Sequence, residues 1–333
     1  MTANPDKLKL VKEHSLKAIA FGIARAPKSG RAFLACSDFK VYEIDLGADK
    51  LEPAELYAHE SYVTIVGLSG SVLVSGGYDG RLIWWDTDAR KQIRSVQAHS
   101  KWIRKIAVSS DGSRFASVAD DMVCRVWDFA TGRQIHELRG HKEQTPTHFA
   151  SMLYTVVFSA DGKRIATGDK VGHIVVWDAA TGGELATLEA PVMYTWDPVQ
   201  RLHSIGGIRS LAFSPDGKLL AAGGIGKIGN IDHLQAKARV EVFDLQAKTQ
   251  IGEYTADQSK GIVNHLQFAP DGSWLLAAGG AADGCLVFVD VKQKKILRQE
   301  KAGMHIHHFT FDDDCDKIFS VGHYKLAIHE LKG

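Results

Sequence analysis

The stretch "VSGGYDGRLIWWDTDARK", residues 74–91, sets Ser75 and Asp79 ahead of the pair Trp84 and Trp85, with Asp86 directly after. Tryptophan beside carboxylates could line a sugar or cofactor site; it could equally be a recurring packing anchor. A second stretch, "MHIHHFTFDDDCD" (304–316), puts His305 and His307 two residues apart. A strand would place both on one face, the beginning of a metal-ligand set. A zinc site demands a specific tetrahedral geometry, and neither a metal nor a cofactor is expected here. The acidic run "DDDCD" lacks EF-hand spacing and reads as a turn. "GDKVGHIVVWDAATGG" and "AAGGIGKIGN" are glycine-rich, but neither is a Walker loop and neither has the strand–GxGxxG–helix setting of a dinucleotide site.

The totals narrow the classes further. The chain has 333 residues, 45% hydrophobic and 24% charged, enough for a large core. Forty basic residues against 39 acidic ones give a net charge of +1. No global field draws the chain to nucleic acid or to an anionic membrane. No apolar run has the length of a spanning helix, and the opening residues carry no apolar signal segment. Cys36, Cys124, Cys285 and Cys315 stand far apart, at no metal-ligand spacing. Four reduced thiols in a cytoplasmic protein are expected.

The elements that must position these residues repeat. "AVSSDGSRFASVADDMVCRVWDFATGR" (107–133) and "VFSADGKRIATGDKVGHIVVWDAATGG" (157–183) have the same layout. So do "AFSPDGKLLAAGG" from Ala212 and "QFAPDGSWLLAAGG" from Gln267. Each unit reads as a strand, an Asp-Gly turn, a second strand, a third strand ending in an apolar residue plus an acid, and a short fourth strand. Third-strand ends fall at Asp45, Asp86, Asp128, Asp178, Asp244, Asp290 and Glu330, which counts seven units. The period and the Trp-Asp endings resemble the WD40-repeat family, over essentially the whole chain. The resemblance implies an all-β fold: a seven-bladed propeller of four-stranded antiparallel blades, one domain over residues 1–333. The final unit stops after its third strand, so residues 1–13, with "KLKLVKE" and its apolar Leu8, Leu10 and Val11, are expected to close the last blade.

In that family a blade carries a buried hydrogen-bonded set of His, Ser or Thr, Asp and Trp. The resemblance assigns His59, Ser75, Asp79 and Trp85 to unit two, and His99, Ser117, Asp121 and Trp127 to unit three. Unit four has His141, Thr167 and Trp177, with Val171 where the Asp is expected. His305 matches the same His position in unit seven. Ser, His and Asp in convergence also make a hydrolase triad, but a nucleophile must be exposed beside an oxyanion site, and these serines sit mid-strand. The sets are read as structural, and no catalytic residue is assigned. Trp84, on the opposite face of its strand, is expected to pack between blades.

Function on a repeated scaffold sits where the repeat is broken. Three insertions, 141–152, 190–207 and 224–238, fall on one rim at blades four and five. They carry Phe149, Met152, Met193, Tyr194 and Trp196, residue types enriched at interfaces. Aligning the first strands sets Lys17, Thr64, Arg104, Tyr154, Arg209, Asn264 and His307 around the channel mouth, where cations could receive an acidic group. The leading expectation is a non-enzymatic scaffold that binds a protein or peptide on this rim. One alternative is a propeller enzyme or metal-dependent small-molecule binder using the channel mouth. Another is nucleic-acid association through Lys17, Arg104 and Arg209, which the charge balance disfavours.

Overall fold

A computed structural model describes residues 3–197, 203–229 and 236–332. Its regular structure is strand; among the described residues there is no α-helix, only 3-10 turns at Pro5–Lys7 and Pro191–Met193. Among the described residues no helix is long and apolar enough to cross a membrane. Seven four-stranded antiparallel sheets follow one another in chain order, each running from an inner to an outer strand. Blade one comprises Ala20–Arg25, Arg31–Cys36, Lys40–Asp45 and Ala54–Ala58. The inner strands of blades two to six are Val63–Ser69, Ile103–Val108, Leu153–Phe158, Ser210–Phe213 and Ile262–Phe268. Blade seven has Ile306–Phe311, Lys317–Gly322 and Lys325–Glu330.

The fourth strand of blade seven is Lys9–Ser15, from the other end of the chain, paired antiparallel from Lys9 opposite Glu330 to Ser15 opposite Lys325. Closure removes two free edges at once. The strand lies two residues beyond the expected segment, and its apolar pattern holds only in part. Leu8 is buried against blade seven, whereas Leu10 and Val11 are 47% and 42% exposed beside a break in register. An outermost strand meets solvent, and its backbone pairing does the holding.

The turns recur because the same side chains close them. Ser109, Ser159 and Ser214 donate to Asp111, Asp161 and Asp216 at 2.6, 2.6 and 2.7 Å. Gly112, Gly162 and Gly217 follow at φ 69°, 67° and 68°, a region that glycine enters without a Cβ clash. In blade seven the glycine's place is taken by Cys315 at φ 60°, and the Asp312 carboxylate accepts from the N–H groups of Asp316 and Lys317. The acidic run is a turn. The core lies between blades. Trp84 is fully buried, donates its indole N–H to the Phe129 carbonyl at 3.0 Å, and meets Phe115 and Trp127 edge-on. All four cysteines are free and buried.

Candidate functional site

The buried polar chains can be followed donor by donor. In blade three the Trp127 indole donates to Ser117 Oγ (2.9 Å), Ser117 bonds His99 Nε2 (2.8 Å), and His99 Nδ1 lies 3.0 Å from Asp121. The Arg125 guanidinium also reaches His99 Nδ1, at 2.8 Å, and donates to the Asp121 carboxylate at 3.1 Å. Ser117 is wholly buried with its oxygen already shared between an indole and an imidazole, so no substrate can reach it. Blade four repeats the chain through Trp177, Thr167 and His141, ending on Asp169 at 2.9 Å. The acid expected at Val171 is supplied two residues earlier, and the other Asp169 oxygen accepts from the N–H groups of Val171 and His173.

Blade two departs from expectation at Trp85. His59 bonds Ser75 Oγ at 2.7 Å and Asp79 at 2.9 Å, but the donor to Ser75 is the Tyr57 hydroxyl, at 2.9 Å. Tyr57 stacks on Trp85 at 4.6 Å, and the buried Trp85 Nε1 has no hydrogen-bond partner. Trp85 is therefore a stacking platform here and not a member of the chain. His305 of blade seven belongs to no such set: Asn264 Nδ2 donates to its Nε2 at 2.8 Å.

One repeated backbone device builds the channel mouth. The inner strands of six blades break register near their start, at Ala20/Gly22, Val63/Ile65, Ile103/Lys105, Leu153/Thr155, Val263/His265 and Ile306/His308. The skipped residues are Phe21, Thr64, Arg104, Tyr154, Asn264 and His307. A bulge re-aims the side chain it frees, and all six line one mouth cavity of about 310 Å³, together with Arg209 of blade five. Lys17 does not belong to this ring. It is exposed and lies along a separate groove with Ser15, Asp38 and Glu55; Phe21 holds blade one's place.

The mouth is cationic, but not in the manner of free charges. Arg104 is held by Asp120 at 2.8 and 2.6 Å and by the Tyr78 hydroxyl at 3.0 Å, so a carboxylate the sequence did not single out neutralises it. Arg209 lies 3.6 Å over the Tyr154 ring and donates to the Gly206 carbonyl at 3.3 Å. Its Nε is buried without a partner, and among the described residues no carboxylate pairs with it. Lys170, nearly buried, is pushed down from the ordinary lysine value by burial and then by the charge of Arg209. Lys105, enclosed at the cavity floor, is pushed down to about 7 by burial and reaches His265 at 3.3 Å.

Aromatic rings extend the mouth across blades one to three. Phe39 and Phe21 each approach Tyr62, at 5.5 and 6.0 Å, and Tyr62 approaches Tyr78 at 5.6 Å. Tyr78 stacks on Trp102 at 4.2 Å, and the Arg104 guanidinium lies over both rings. Phe39, Tyr62 and Trp102 remain 41%, 42% and 47% exposed. This arc was missed because its members are single residues at strand entries and turns, with no insertion to mark them.

The insertions contribute less exposed surface than expected. Met193 is completely buried under blade five's packing. Tyr194 shares a hydrogen bond with Thr147 at 2.6 Å, tying two insertions together, and Phe149 is half-buried. Tyr194–Asp197 pairs with His203–Gly206 as a two-stranded hairpin, on which Trp196 stays 44% exposed. Residues 198–202 and 230–235 of the second and third insertions lie outside the described residues.

Comparison with known proteins agrees with the architecture. The family model described as "WD domain, G-beta repeat" matches residues 52–86, 90–128, 132–178, 196–227 and 248–290. The chain is 32% identical over 178 residues to "Apoptotic protease-activating factor 1" of Rattus norvegicus, covering 53% of the chain and 13% of that protein. It is 32% identical over 170 residues to "Guanine nucleotide-binding protein subunit beta" of Solanum tuberosum, covering 50% of the chain and 42% of that protein. It is 30% identical over 166 residues to "Nuclear distribution protein PAC1-2" of Uncinocarpus reesii, covering 46% and 33%. The chain thus spans less than half the length of each of these relatives. Five matched segments cover more than half of the chain, on seven blades closed by its own N-terminal strand, and the chain belongs to the WD40-repeat family.

Proposed function

We propose that this chain is a non-enzymatic scaffold whose loop-bearing rim binds a protein partner, with an acidic group of that partner seated on Arg209 and Lys170. Membership of the family supports protein interaction as the general class. The observation that carries the finer reading is the Arg209 guanidinium: fixed over Tyr154, with its Nε buried and unpartnered at an open mouth. A buried donor left unmade costs about 1–3 kcal/mol, and a carboxylate accepting from it recovers that in a charge-assisted bond. The aromatic arc from Phe39 to Trp102 supplies the apolar contact, and Trp196 the contact from blades four and five. The same reading takes residues 1–333 as one domain acting in the cytoplasm.

Site-specific photocrosslinking tests it. A photoreactive residue at position 102 or 196 is expected to trap the partner; one at Leu185, equally exposed on the outer strand of blade four, is not. Trapping at 185 alone would move the interface to the outer edge and end this reading.

A further inference from the structure

Blade seven departs from the other blades at the mouth. The entry residue, the bulge residue and the residue after the second strand are Trp102, Arg104 and Asp120 in blade three; in blade seven they are His305, His307 and His323. Opposed strand ends hold them together: Ile306 pairs with Gly322, and the His323 N–H donates to the His305 carbonyl at 3.1 Å. The ring centroids are 4.7 Å apart for His305 and His307, 4.8 Å for His305 and His323, and 5.1 Å for His307 and His323. One ring nitrogen from each lies within 4.8 Å of the others.

We propose that these three imidazoles form a binding site for a divalent metal ion of the zinc class, with a fourth coordination position open to the channel mouth. Zn–N bonds of about 2.0–2.1 Å in tetrahedral array put ligand nitrogens about 3.4 Å apart, so loading requires the rings to close by up to about 1.4 Å. His323 is exposed at a bend after its strand. His307 Nε2 is buried with no hydrogen-bond partner, and coordination satisfies it. His305 Nε2 now accepts from Asn264, and ligation through that atom exchanges this bond for the metal. The ion's charge is tolerable because Arg104 is already neutralised by Asp120, and Arg209 comes from blade five, which does not flank blade seven. The site stands independently of any protein partner.

The test is a calorimetric titration of the full chain with zinc, and a titration with cobalt(II) as a visible-absorption reporter of four-coordinate geometry. One equivalent is expected to saturate. His323→Ala, which removes an exposed side chain and should leave thermal melting unchanged, is expected to weaken binding by about 100-fold or more, since even outer-shell losses cost about 10–100-fold. His307→Ala should do the same, and His173→Ala, a histidine of blade four outside the cluster, should change nothing. No zinc binding by the wild type, or equal binding by a His305→Ala/His307→Ala/His323→Ala variant, overturns the proposal. Unweakened binding by His323→Ala alone also overturns it.

Discussion

At the scale of single residues, identity and role part company in instructive places. Trp85 and Trp127 occupy equivalent positions, yet only Trp127 donates to its serine, because Tyr57 has taken that bond in blade two. Trp127→Phe should therefore cost about 1 kcal/mol more than Trp85→Phe in chemical denaturation. Equal losses would show that the two indoles do the same work. The His99–Asp121 pair makes a second prediction. Burial foremost holds His99 below the ordinary value of 6.5, with Arg125 adding to it and Asp121 and Glu137 opposing. Burial alone would raise Asp121, but the His99 bond, the Ser100 N–H and Arg125 outweigh it and hold the carboxyl at about 2. Both folded values lie below the unfolded ones. The pair's stabilisation is thus complete above pH 6.5; the histidine part fades as pH falls below that, and the carboxylate part between 3.8 and about 2. Asp121→Asn should flatten the acid limb of the melting profile in that lower window, and profiles that stay parallel to wild type would contradict the assignment.

At the scale of elements, the strand Lys9–Ser15 is the piece on which closure depends. Deleting residues 1–15 exposes the edge of Lys325–Glu330 and uncovers the core of blade seven; thermal melting should fall sharply, and an unchanged transition would refute the closure. The blades were legible in the sequence because Asp-Gly turns and acid-ended third strands recur at blade spacing. The closing strand was legible from a missing fourth strand more than from its own pattern, since Leu10 and Val11 face solvent. The mouth was legible wherever the first strands align, from Thr64 to His307, including Arg209 of blade five, which has no break in register. It failed at Lys17, because blade one lacks a marked repeat and the alignment slipped from Phe21. Asp120, Tyr78 and His323 went unseen for one shared reason. They follow the second strand, a position that the repeat leaves variable, and only pairing of strand ends carries them to the mouth.

At the scale of the whole molecule, the ring gathers one residue per blade to a single opening, and the charge balance there differs from that of the chain. Overall net charge is +1, yet at the mouth Asp120 is committed to Arg104 while Arg209 and Lys170 have no carboxylate partner among the described residues. Fold membership does not choose a partner, and the proposed acidic contact rests on this local excess of cation beside an aromatic arc. The most direct measurement is affinity capture from source cells with three forms of the chain: wild type, a Trp102→Ala/Arg209→Ala variant, and a form whose 190–207 insertion is replaced by a short Gly-Ser turn. The mouth variant should lose the partner while its melting stays near wild type, and the loop replacement should retain part of the binding. Full capture by the mouth variant would contradict the central claim and place the partner elsewhere on the propeller.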